Sequence, residues 1–113
     1  MAIPSGSGTE RLRRVTLHNN NATFTEILSG TTGHIYTILS IIFCSISNAS
    51  GFIDVRMNDG ANDIKILNAQ PHGPYETLVF SDKLVLEEDD DLDVYNSVAN
   101  GDWIVSYIDQ DWS

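Results

Sequence analysis

One hundred and thirteen residues make one domain's worth of chain, too short for two independent hydrophobic cores. Sixteen Asp and Glu against six Lys and Arg give a formal charge of -10, which repels phosphate backbones and anionic membrane surfaces, so neither nucleic acid nor membrane is expected as a partner. The single cysteine, Cys44, cannot close an intramolecular disulfide, and the fold is expected to be independent of an oxidising compartment.

The chain opens on "MAIPSGSGTE", rich in Gly and Ser, with only Met1, Ala2 and Ile3 as apolar groups. Such a segment cannot offset its own ordering entropy, so residues 1–10 are expected to form a flexible N-terminal arm preceding a sandwich domain over 11–113. Met1 and Ile3 are the apolar anchors by which the arm would hold a neighbour, with Pro4 stiffening the path. No apolar stretch precedes the basic residues, and no export signal is expected. Arg11, Arg13 and Arg14 then place three of the six cations in four positions. They suit docking against an acidic surface such as the "EEDDD" of an adjacent copy, or a solvated first strand whose Arg stems lie over the sheet.

Frequent turn signals ("HNNN", "SGTTG", "SNASG", "NDGAN", "QPHGP", "NGD") divide the rest into short segments. Strands are predicted at 11–18, 22–29, 35–47, 52–58, 63–68, 75–80, 83–86, 92–97 and 103–109. Many are rich in Val, Ile, Thr, Tyr or Phe, which fit a pleated, half-buried surface. In "FIDVRMN" Ile53, Val55 and Met57 share one face and Asp54, Arg56 and Asn58 the other, and "NDG" supplies residues that tolerate positive φ. Residues 52–67 therefore read as a β-hairpin. No window sustains a helical apolar period. The expected fold is all-β: one antiparallel β-sandwich of Greek-key or jelly-roll type, with eight or nine strands.

The third segment, "IYTILSIIFCSIS", is apolar on both faces. Strict alternation puts Ile35, Thr37, Leu39, Ile41 and Phe43 on one side and His34, Tyr36, Ile38, Ser40, Ile42, Cys44 and Ile46 on the other. A sandwich strand needs only one oily face, so the second must meet another subunit or the chain's own loops. Tyr36, Ile38, Ile41 and Ile42 are the interface candidates here. Trp112, just past the last strand, is a further one, because a terminal Trp is costly to leave in water.

Little in the sequence carries chemistry. The run "LEEDDDLD" at 86–93 lacks the glycine and terminal Glu of a Ca²⁺ loop, and reads as a solvated acidic turn. His18, His34 and His72 lack zinc spacing and read as exposed loop histidines. Cys44 sits among apolar residues as a small hydrophobe. "NAT" and "NAS" match the glycosylation acceptor pattern but come without a signal peptide. No nucleophile–base pair, phosphate loop or dinucleotide motif is present. No catalytic residue, metal or cofactor is expected, and the chain is read as a non-enzyme.

The leader "MAIPSGSGTERLRR", the strand "HIYTILSIIFCSISNAS", the middle "ETLVFSDKLVLEEDDDLDV" and the ending "DWIVSYID" together resemble small virion proteins of tailed bacteriophages, of the marine and cyanobacterial phage type. Leu84, Leu86, Asp91, Leu92 and Val94 match that family's "lvLe.GD.l.v" turn into a strand, and Val105, Ser106 and Tyr107 its closing "vSY". Asp90 stands where the family has glycine, which leaves the turn type open. The resemblance implies a structural building block of the virion, assembled in the host cytoplasm. Its expected role is capsid decoration or cementing, or another head, neck or tail position. The expected partners are the chain itself, with a trimer favoured, and other virion proteins such as the major capsid protein or tail and neck proteins. The alternative is a carbohydrate- or receptor-binding jelly-roll module of a tail fibre or baseplate, with Tyr36, Tyr75, Tyr95 and Trp103 stacking on sugars.

Overall fold

The chain is described by a computed structural model over residues 9–112. Nine strands follow one another: β1 (Thr9–Asn19), β2 (Thr25–Ser29), β3 (His34–Ser45), β4 (Gly51–Asn58), β5 (Asp63–His72), β6 (Thr77–Phe80), β7 (Leu84–Leu86), β8 (Asp91–Asn96) and β9 (Gly101–Asp111). Every predicted segment overlaps one of them, and the largest shift is at β5, which runs on to His72. β1 begins at Thr9, inside the stretch assigned to the arm. Residues 1–8, and with them Met1 and Ile3, lie outside the described residues.

The strands form two sheets that face each other. The first has the order β1-β9-β3-β6, with β7 continuing the β6 edge by pairing with β3; the second runs β2-β8-β4-β5. Successive strands mostly switch sheets, and all the pairings are antiparallel, which is jelly-roll connectivity. β4 and β5 form the predicted hairpin. Its reversal places Gly60 at a φ of 94°, a conformation glycine adopts without steric cost.

The core is the space between the sheets, filled by alternate residues of each strand. Trp103, Phe43, Ile38, Ile53, Val55, Leu86, Leu92, Val94 and Val105 are its most buried members. Trp103 packs against Phe43 at 4.7 Å between ring centroids, and its indole N–H donates to Asn96 Oδ1 at 3.1 Å. Asn19 Nδ2 donates to the same oxygen at 2.9 Å, and Asn96 Nδ2 donates to the Val98 carbonyl at 2.7 Å. Asn96 belongs to the second sheet and its two donors to the first. A fully buried amide is therefore satisfied and also links the sheets.

Two bulges set which side chains enter this core. In β2 the register against β8 slips between Glu26 and Leu28, so the neighbours Ile27 and Leu28 are both buried. In β3 the register against β9 slips between Ile38 and Ser40. Tyr36 and Ile38 face inward before the slip, Ile41 and Phe43 after it. The extra residue, Leu39, reverses the alternation for the rest of the strand. The two faces predicted by strict alternation are therefore each half right.

Candidate assembly surfaces

The β3 bulge defines the outer face of the first sheet. Ile35 and Thr37 from before the slip, and Ile42 and Cys44 from after it, point away from the core and are half-buried. β9 adds Ile104, Ser106 and Ile108 between the inward Trp103, Val105 and Tyr107. Leu12, Arg13, Arg14, Leu39 and Ser106 line a shallow depression on this side. At the far edge Val79 and Val85 are 63% and 52% exposed, and Leu12 at the near edge is 77% exposed. Arg14, Ser106 and Ser40 form one row across this face and Thr16 pairs with Ile104, so polar groups stand among the apolar ones.

The outer face of the second sheet has opposite chemistry. Arg56 donates from Nε to Asp93 at 3.2 Å and lies 3.5 Å from Asp63, with its guanidinium 3.7 Å from the centre of the Phe24 ring. Phe24 also packs on Tyr95 at 5.0 Å, and Phe52 approaches Tyr95 at 5.8 Å. Glu26 is drawn above the ordinary carboxylate range, first by its partial burial and then by a hydrogen bond to Asp91 and the charges of Asp91 and Asp93.

The predicted interface residues divide between these environments. Tyr36, Ile38 and Ile41 are in the core and are unavailable to another subunit, a correction that follows from the bulge for Ile41 and from inward alternation for the other two. Ile42 lies on the outer face. Arg11 and Arg14 are exposed on β1, as is Arg13 in part, although Arg13 Nε also holds the buried carboxylate of Asp109 at 3.1 Å. Trp112 folds back, its backbone N–H donating to the Gly33 carbonyl at 2.8 Å, and its indole nitrogen is buried. Of the four aromatics considered for sugar stacking, Tyr36 and Trp103 are buried in the core, Tyr75 is exposed, and Tyr95 is half-buried.

The histidines differ from the expected exposed loop residues, since all three lie in strands. His18 is exposed and pairs with Asp102. His34 is half-buried, with Nδ1 2.7 Å from Asp109 Oδ1 and Nε2 3.5 Å from Asp111. His72 is buried, stacked on Phe43 at 5.3 Å, with Nδ1 2.9 Å from the Gly73 carbonyl. Acidic partners from a strand far along the chain fix the first two, a relation that sequence spacing does not display.

The acidic run is a turn closed on itself. The Asp90 N–H donates to the Glu87 carbonyl at 3.1 Å, and the Gly30 N–H donates to the Asp90 carbonyl at 2.7 Å. A side chain on Gly30 would stand 2.2 Å from the Glu87 carbonyl oxygen, so this close approach requires glycine. No group of three or more His, Cys, Asp or Glu side chains among the described residues is arranged to hold a metal ion. Where the β5 and β6 edges part, a cleft of about 250 Å³ opens to the core, lined by Ile41, Phe43, Leu67, Leu78, Phe80 and Trp103.

No family model matches the sequence, and no curated protein matches it. Solved structures do share the fold. One comes from Bacillus endospore appendages, described as a novel family of disulfide-linked pili. It aligns with 15% identity and a TM-score of 0.52, over 100% of this chain and 97% of that one. At that identity the likeness establishes the all-β sandwich.

Proposed function

We propose that the chain is a structural subunit of a repeating protein assembly, acting by subunit packing and without catalysis. The specific reading is the one the sequence resemblance implies: a virion protein of a tailed phage, decorating or cementing the capsid or placed at the neck or tail. The observation that carries the assembly part is the outer face of the first sheet. Ile35, Leu39, Ile42, Ile104 and Ile108 lie on this face among Thr37, Ser40 and Ser106, on a chain of net charge -10, and the exposed Leu12, Val79 and Val85 at its edges extend an apolar surface of the kind that serves as an interaction site. Packing a second copy there buries this surplus, a common recourse for a domain this small. A sandwich of the same fold in endospore-appendage pili is in keeping with use as a building block.

The test is the copy number of the chain in purified particles, by quantitative mass spectrometry. Hundreds of copies support a shell component, and a few to a few dozen support neck, tail or fibre. Absence from purified particles contradicts the virion reading.

A further inference from the structure

Among the described residues the first sheet has two open edges that are complementary to each other. Its strands alternate in direction through β1, β9, β3 and the β6/β7 edge, so β1 runs opposite to β7. A second copy placed beside the first in the same orientation would therefore meet β1 antiparallel with its own β7, continuing the sheet. No strand among the described residues pairs with the outer rim of β1. β1 is eleven residues long, in unbroken register with β9, with neither proline nor bulge. Natural sheets usually interrupt edges that must stay free.

Charge decides which edges can meet. β1 carries Arg11, Arg13 and Arg14, half the cations of the chain, and β7 leads directly into Glu87, Glu88, Asp89 and Asp90. Two β1 edges repel each other, as do two β7 edges, whereas β1 and β7 attract.

Register narrows the geometry further. Within the sheet Leu12, Ile108, Thr37 and Val85 form one row. Joining copies in that register would set Glu10 against Glu87 and Arg14 against Lys83. An even slip keeps inward and outward residues on their own faces. A slip of about four residues, ~13 Å along the strand, sets Arg14 against Glu87, Arg13 against Glu88, Val15 against Leu86, Thr16 against Val85 and Leu17 against Leu84. Core-facing apolar residues then meet core-facing apolar residues, and opposite charges meet beside them.

We infer that β1 of one copy pairs with β7 and the acidic turn of a second copy, joining them head to tail through the first sheet. This inference rests on the assembly reading above and adds a second, heterologous contact to it. Such a contact closes a ring or extends a fibre instead of stopping at a dimer.

Sedimentation velocity on the full chain at low salt tests this, over a range of concentrations, with Arg14→Glu, Glu87→Arg, the double variant and Ile104→Lys. Circular dichroism and a melting curve confirm that each folds. The expected wild-type result is a discrete oligomer that grows further with concentration. Either single reversal should weaken that further growth about tenfold or more, and the double variant should restore it, because the reversed charges again match. Growth that is absent in the wild type, unchanged by single reversal, or not restored in the double variant overturns the edge pairing. Persistence of the discrete oligomer in those cases leaves the face packing standing, and loss of that oligomer in Ile104→Lys alone supports it. A wild type that stays monomeric overturns both.

Discussion

The two outer faces of this sandwich differ in how far the described residues pair their side chains with one another. On the second sheet Arg56 is held by Asp93, Asp63 and the Phe24 ring, and Phe24 and Phe52 each pack on Tyr95. On the first sheet Ile35, Leu39, Ile42 and Ile108 are half-buried and Ile104 is 37% exposed, with Val79, Val85 and Leu12 more exposed at the edges. Phe24 and Phe52 on the second sheet are 36% and 37% exposed, close to the 37% of Ile104, but each is held by a ring or cation of the described residues around it. Apolar area that a partner removed from water on the first sheet would contribute roughly 25 cal/mol per Å². The difference is what directs our proposal of subunit packing to the first sheet.

The sharpest way to break this comparison uses neighbouring residues of β9 that point in opposite directions. Trp103→Ala removes a core side chain that is 1% exposed and leaves the Asn96 carbonyl short of a donor. A loss of about 3–5 kcal/mol is expected, read by urea titration, and much of the population should unfold. Ile38→Asp and Ile41→Asp should abolish folding altogether, because an unpaired carboxylate would be buried in the core. Ile104→Lys and Ile42→Asp should instead keep the native circular dichroism spectrum and lose association. If Ile104→Lys unfolds the chain as Trp103→Ala does, the two faces of β9 are not distinct and the comparison fails.

A smaller effect is expected on the second sheet. Arg56→Ala removes two ion pairs and one cation–π contact at a partly exposed site, so the expected cost is about 1 kcal/mol, read as a lowered melting temperature. Association should be unaffected. A change in oligomeric state would show that this face also meets a partner.

The smallest effect concerns pH. Glu26 has a folded pKa above its ordinary value, so the native state holds its proton more tightly than the unfolded state does. Its contribution to stability is therefore fully present below the unfolded pKa and is lost as pH rises through the raised folded pKa. Glu26→Gln removes this dependence. The variant should melt slightly higher than the wild type at neutral pH and show no such gain near pH 4. An equal or lower melting temperature at neutral pH would contradict the assignment of Glu26 to a crowded acidic position.

Much of this fold is legible from turn residues and period-two alternation. "NDGAN" marks the β4–β5 reversal, and the Ile53, Val55, Met57 pattern marks its inner face, because local sterics and burial act there over two or three residues. The bulge at Leu39 is different. Its cause is the pairing of β3 with β9, where Ile38 meets Tyr107 and Ser40 meets Ser106 far along the chain, so nothing within "IYTILSIIFCSIS" displays it. That single extra residue moved Ile41 into the core while Ile42 stayed outside. Of the interface candidates predicted on this strand, Ile42 therefore stays outside, whereas Tyr36, Ile38 and Ile41 lie in the core. His34 and His72 escaped for the same reason: Asp109, Asp111 and Phe43, which surround them, are brought in by distant pairings. Charge segregation between Arg11–Arg14 and Glu87–Asp90 was visible in the sequence, whereas the opposed sheet edges that give it a use required the topology.

The central claim, that the outer face of the first sheet is where copies meet, is tested most directly by the solution mass of the wild type beside Ile104→Lys. Multi-angle light scattering at high micromolar concentration should give a multiple of 12.5 kDa for the wild type, with three copies favoured, and 12.5 kDa for a natively folded Ile104→Lys. A wild type of strictly monomeric mass, or an Ile104→Lys variant of unchanged oligomeric mass, would contradict the account.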